Sequence, residues 1–211
     1  MFSLTKKELS LLRSLNSPRK IQDYLDTLPI NFEVGGDTYY SPRQVMREGV
    51  AHCLEGAALA ALALRVHGQP PLILDLESAR HDIDHVVTLF KQHGCWGAIS
   101  KTNHAVLRYR EPVYRTLREL VLSYFHEYFD AKGFKTLRFY SPPVNLARFD
   151  KQGWMTSETG IDYIAQHLVD VRHTPLLTRS QIATLKRADP IEIKAGEIVE
   201  WKAPRKKSPR A

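Results

Sequence analysis

The sequence predicts an α+β fold: a buried helix opening at Cys53, packed on an antiparallel sheet of three or more strands, with extra helices toward the C-terminus. Three observations carry this. Residues 57–64 (AALAALAL) are apolar on every helical face, and a helix apolar all round is buried on all sides. Immediately after, the pattern shifts from helical spacing to short apolar runs separated by turn residues, which is how strands read. Capped helical patterns flank this centre on both sides.

Thr5 to Leu15 has apolar residues at helical spacing. Ser17-Pro18 supplies an N-cap and a first-turn proline for a helix running to about Leu28, where Pro29 stops it. Residues 31–40 read as a loop around Gly35-Gly36. Ser41-Pro42 repeats the cap, with Gln44 at capping-box spacing, and that helix ends near Gly49. The central helix runs from Cys53 to His67; Gly68 and Pro70-Pro71 end it. Strands are expected at Leu72–Leu76, at His85–Lys91 and at Cys95–Ser100, the last two forming a hairpin over His93-Gly94. Glu111 to Asp130 reads as a helix with an aromatic core stripe at Tyr124, Phe125, Tyr128 and Phe129. Lys135–Tyr140 reads as a strand, Ser157–Val171 and Thr178–Ala188 as helices, and Ile191–Trp201 as a last hairpin around Gly196. Trp154 and Trp201 receive no role. The expected organisation is an α+β domain over 1–150, a helical extension over 151–202 and a basic disordered tail from 203.

The chain has 211 residues, 43% apolar and 25% charged, enough to bury a core without staples. The net charge of +7 is unevenly placed: Lys202, Arg205, Lys206, Lys207 and Arg210 crowd the last ten positions, and without those five the other 25 basic residues face 23 acids. A nucleic-acid partner is therefore not expected. No apolar run is long enough to cross a membrane, and the first residues lack the pattern of a secretory leader, so a cytoplasmic location is expected. No nucleotide-binding fingerprint is present and no cofactor is expected. The oligomeric state is not readable.

Cys53 sits at the start of a helix, where free N–H groups and the helix dipole favour a thiolate and can receive an oxyanion. The competing reading is a buried, inert thiol. A nucleophile needs a base, and His85 is the candidate. A two-residue turn at His93-Gly94 sets Val87 opposite Ser100 and His85 opposite Thr102, placing Ser100 on the face of His85. The residue orienting the imidazole would then be a hydroxyl. Asn103 is a fallback on the other face, and Asp84 points away. Glu55, in the first turn after Cys53, opposes a thiolate. The rival constellation is His81-Asp82-Ile83-Asp84-His85, rich in metal-ligand types, but on a strand its two histidines stand about 13 Å apart, and no metal site is assigned.

A cysteine opening an Ala/Leu-rich helix that ends Arg65-Val66-His67-Gly68, then His85 on a strand, then Trp96 and, four positions on, Ser100, resembles the transglutaminase-like superfamily over about residues 18–103. The resemblance implies a papain-like core and a Cys-His-Asp triad in which the cysteine attacks a carboxamide or peptide carbonyl. Carried over, Cys53 is nucleophile, His85 base, and Ser100 stands where the family has aspartate. Trp96 would shield the site. The implied protein is a peptidase or amidase acting on a peptide or protein amide; the alternative is an inactive fold kept as a binding module.

Overall fold

The computed structural model describes residues 3–203. Caps set the helix starts. Thr5 accepts the N–H of Glu8 to open α1 (Lys6–Ser14), Ser17 accepts that of Lys20 to open α2 (Pro18–Thr27), and Ser41 with Gln44 forms the capping box of α3 (Pro42–Glu48). Gly49 ends α3 in the left-handed region at φ 69°. The central helix α4 (Cys53–Val66) is buried without a break from Leu54 to Leu64.

The sheet is antiparallel throughout, in the order β4-β3-β2-β1-β5-β7, with β6 also beside β1. Its strands are β1 (Leu72–Ser78), β2 (His85–Gln92), β3 (Cys95–Ser100), β4 (Arg110–Tyr114), β5 (Leu137–Tyr140), β6 (Val144–Asn145) and β7 (Thr174–Pro175). The β2–β3 register pairs Gln92 with Cys95 and Val87 with Ser100, as the two-residue turn requires. His93 and Gly94 both have positive φ, 50° and 79°, the conformation that matches strand twist. Pairing stops at Ser100, so Thr102 does not face His85.

Both faces of the sheet are covered, which is why β2 reads as a continuous apolar run rather than an alternating one. On one face, Ile73, Val86, Phe90 and Ile99 pack with α4, and Trp154, Ile161, Ile164 and Leu168 of the C-terminal part join the same core. On the other, Leu74, Leu76, Val87 and Leu89 pack with Leu120, Val121, Tyr124 and Phe125 of α5 (Leu117–Phe125), with Tyr128 beside them. The aromatic stripe is thus largely core.

Two expected elements differ. Residues 110–114 form a strand, because Pro112 disfavours helix at Glu111, and α5 begins only after Thr116, whose capping box with Glu119 is intact. The expected hairpin at 191–201 is helix α8 (Pro190–Gly196), opened by Asp189 and Glu192 with Pro190 at its first position. Two helices are shorter than expected: α6 is Asp162–Asp170, following Gly160 at φ 99°, and α7 is Arg179–Ala183. A 3-10 helix over Leu146–Gln152 was not foreseen. Except for Ala203, the basic tail lies outside the described residues.

The N-terminal helices hold the end of β3. The Gln22 side chain donates to the Ser100 carbonyl (2.8 Å) and accepts its N–H (2.9 Å), pairing with the backbone as a neighbouring strand would. Next to it, Lys101 is fully buried and donates to the Leu25 carbonyl at 3.0 Å and to that of Leu28, the last carbonyls of α2. An ammonium at a helix C-terminus meets the negative end of the dipole. Gly56 of α4 lies against this lysine: a Cβ there would stand 2.5 Å from Lys101 Cβ.

Candidate active site

Cys53 is the first residue of α4, His85 the first of β2 and Ser100 the last of β3. The three meet at the open end of the β2–β3 hairpin. The His85 imidazole lies beside the Cys53 thiol and lowers its pKa, and His85 Nε2 lies 2.8 Å from Ser100 Oγ. The half-buried thiol is therefore next to its expected base, and the base next to its expected orienting group.

The hydrogen-bond directions fix the tautomer. Ser100 Oγ has one proton and donates it to the Leu107 carbonyl at 2.6 Å. Toward His85 it can only accept, so His85 Nε2 carries a proton and Nδ1 is left for the thiol. Leu107 is held in the left-handed region at φ 60°, a conformation costly for a branched residue. Its N–H is taken by Glu127 at 2.9 Å, and Glu127 is anchored by Arg110 at 2.7 Å.

A second imidazole flanks the thiol. His52 caps α4, and its Nε2 lies 2.9 Å from the Thr38 carbonyl and 3.3 Å from the Glu55 carboxylate. Its Nδ1 accepts the Leu54 N–H (3.3 Å) when neutral; when protonated it is free to donate to Cys53. Burial pushes the Cys53 thiol up, but the imidazoles of His52 and His85 beside it more than reverse this and lower it to about 5. Burial likewise pulls His52 down, and the Cys53 thiolate, the Glu55 carboxylate and the Thr38 carbonyl raise it to about 9. Both shifts favour a thiolate beside a protonated His52.

Glu55 does not face the thiol as an unscreened charge. It is fully buried and accepts from Asn31 Nδ2, Thr38 Oγ1 and the N–H groups of Tyr40 and His52. The N–H of Cys53 itself has no partner among the described residues, which leaves it open to an oxyanion.

Other sequence candidates lie elsewhere. Trp96 sits at the turn end of the hairpin opposite Lys91, whose ammonium lies 4.3 Å from its ring, so it does not shield the site. Asn103 bonds the backbone of Trp201 in both directions. The His81–His85 run is dispersed: His81 faces Asp130, Asp82 bonds Thr136, and Asp84 accepts the Ser78 N–H. Among the described residues no group of three His, Cys, Asp or Glu could hold a metal ion. His52 was missed, although His52 and Glu55 have the spacing of a capping box. No protein-family model matches the chain, and no curated protein is significantly similar to it.

Proposed function

We propose that this protein is a transglutaminase-like cysteine acyl-transfer enzyme, hydrolytic, acting on a peptide or carboxamide carbonyl. One observation carries the reading: the chain Cys53–His85–Ser100–Leu107, whose hydrogen-bond directions leave a basic nitrogen on the thiol. Cys53 attacks the carbonyl carbon, and the Cys53 N–H at the head of α4 receives the oxyanion. The proton that left the thiol, held by an imidazole beside it, goes to the leaving amine as the C–N bond breaks; His85 Nδ1 then takes a proton from the attacking water and returns it as the acyl–sulfur bond breaks. His52 supports the thiolate and keeps its charge balanced.

Ser100 orients His85 as a carboxylate would but contributes no charge to an imidazolium. Replacing the carboxylate of such a triad by a neutral group costs about 10⁴ in rate in a serine protease. His52 offsets part of that deficit by keeping the thiol ionised before the reaction starts. A binding module on the same fold is the other reading that a neutral third group favours.

The experiment is to incubate the protein, with Cys95 replaced by serine, with a library of activated peptide esters and amides. An acyl adduct on Cys53 detected by mass spectrometry, released by hydroxylamine and absent from His85→Ala, supports the enzyme. A thiol that alkylates but never acylates supports the binding module.

A further inference from the structure

A cleft of about 480 Å³ opens between residues 130–138 and the segment 182–187, with His81 of the loop that leads into His85 also lining it. Its lining carries Lys132, Lys135, Arg138, Lys186 and Arg187 against one acid, Asp130. None of Cys53, His85 and Ser100 lines it.

The cations are not neutralised by their surroundings. Lys186 is paired with Asp189 at 2.7 Å. The other four have no carboxylate within ion-pair distance among the described residues. Lys135 is only 8% exposed, and its ammonium has a carbonyl at 3.4 Å and the face of Phe129 for company. Arg138 is half-buried and donates only to the Leu137 carbonyl next to it. Arg187 lies over the ring of Phe134 at 4.0 Å. Asp130 ion-pairs with none of them: its carboxylate takes the N–H groups of Lys132 and Phe134 and faces His81, and its single charge offsets only one of the cations.

Four like charges held in one concavity repel each other, and burying an ammonium without a counter-ion is costly. An arrangement of this kind is stable when an anion occupies it. The planar forks of Arg138 and Arg187 suit paired oxygens, and the two lysines suit a diffuse negative charge. A multiply charged anion, with oxygens enough for both forks and the lysines, matches four cations better than a singly charged one. The volume lies within the range of small-molecule sites, and Ile182 and Leu185 give the wall an apolar portion for the rest of the molecule.

We propose that this cleft binds a small molecule through a diphosphate group. The cations do the recognition, without a glycine-rich phosphate loop. The site is independent of the acyl-transfer reading.

The test is calorimetric titration of the full-length protein with inorganic pyrophosphate and, separately, with ADP, at about 0.1 M salt so that loose surface attraction is screened. The expected result is saturable binding of one pyrophosphate per chain, with orthophosphate weaker. Arg138→Gln and Arg187→Gln should each weaken it at least about tenfold, the loss typical of a charged hydrogen bond. Lys135→Gln adds a third point where that variant folds, judged by circular dichroism; the two arginine variants carry the test regardless. Lys91→Gln, on a remote strand, should bind as the parent does. Tighter binding of ADP than of pyrophosphate assigns a nucleotide, and equal binding assigns the diphosphate alone; either supports the site. Absence of saturable binding overturns it, as does parental affinity in the Arg138→Gln/Arg187→Gln protein. Equal competition by a glutamate-rich peptide overturns the diphosphate assignment.

Discussion

Ser100 Oγ stands 2.8 Å from His85 Nε2 and donates its own proton to the Leu107 carbonyl 2.6 Å away. The hydroxyl thus presents only a lone pair to the imidazole, and a backbone carbonyl decides which nitrogen faces the thiol.

That relationship orders a series of substitutions. Ser100→Ala removes the acceptor and leaves the Leu107 carbonyl without its donor; acylation of Cys53 should fall roughly 10²-fold, the scale of general-base assistance. Ser100→Asp should be worse rather than better, because its carboxylate would face a carbonyl oxygen with no proton to offer, and stability should drop by about 2 kcal/mol or more. Ser100→Asn has both an acceptor and a donor and should retain the most activity. Acylation rates and thermal melts of the three variants check the order.

The thiol should titrate far below the usual range. With Cys53 lowered to about 5 and His52 raised to about 9, the ion pair exists between those limits. Iodoacetamide alkylation in a Cys95→Ser background should therefore rise through about pH 5 and stay level past neutrality. His85→Ala and His52→Gln each remove an imidazole that lowers the thiol, so each should move the rise to higher pH. For stability the signs are opposite for the two groups. The depressed Cys53 contribution is lost as pH falls through about 5, and the raised His52 contribution is lost as pH climbs through about 9. A profile rising only near pH 8.5, as for a free thiol, would remove the ion pair from the account.

Asp75 gives a different pH dependence. Burial, then the nearby Asp84, raises its carboxyl to about 7. His173 Nε2 lies 3.0 Å from it, and His173 Nδ1 is committed to the Val171 carbonyl. A raised acid binds its proton more tightly when folded, so its contribution is present at low pH and lost as pH rises toward and through about 7. Asp75→Asn keeps a hydrogen bond to His173 without the charge. It should be more stable than the parent at pH 8 by on the order of 2–4 kcal/mol, with the difference vanishing near pH 4. Chemical denaturation at the two pH values measures this.

Gly56→Ala tests the contact between α4 and Lys101. The new methyl would meet Lys101 Cβ at 2.5 Å and Cγ at 3.0 Å, with both residues buried. A loss of about 2–3 kcal/mol is expected from overpacking. Lys101→Gly removes both contacting carbons but abandons the Leu25 and Leu28 carbonyls, so the two substitutions should be clearly non-additive in a denaturation cycle. Additive losses would mean that the contact is looser than described.

Much of this architecture is legible in the chain because it rests on local signals. Thr5, Ser17 and Ser41 announce their helices, and His93-Gly94 fixes the register that puts Ser100 beside His85. The readings failed where such signals competed. Pro112 was absorbed into a helical pattern although it disfavours helix just before it, and Pro190 was passed over because β-branched Ile191, Ile193, Ile198 and Val199 suggested strands. His52 escaped because its role depends on the buried Glu55 and on a carbonyl from the loop at Thr38, contacts that no spacing reveals. Leu107 escaped for the same reason: what matters there is a backbone carbonyl and an unusual φ, neither of which the side chain advertises.

The grip of Gln22 on both backbone groups of Ser100 has a practical consequence for anyone trimming this chain. Ser100, which orients the imidazole, is held by a residue 78 positions upstream of it. The first helices and the end of the hairpin are tied together by these two bonds. A minimal fragment meant to keep the thiol chemistry must start before the Ser17 cap; one cut at the central helix would keep Cys53, His85 and Ser100 but leave the end of β3 unsupported.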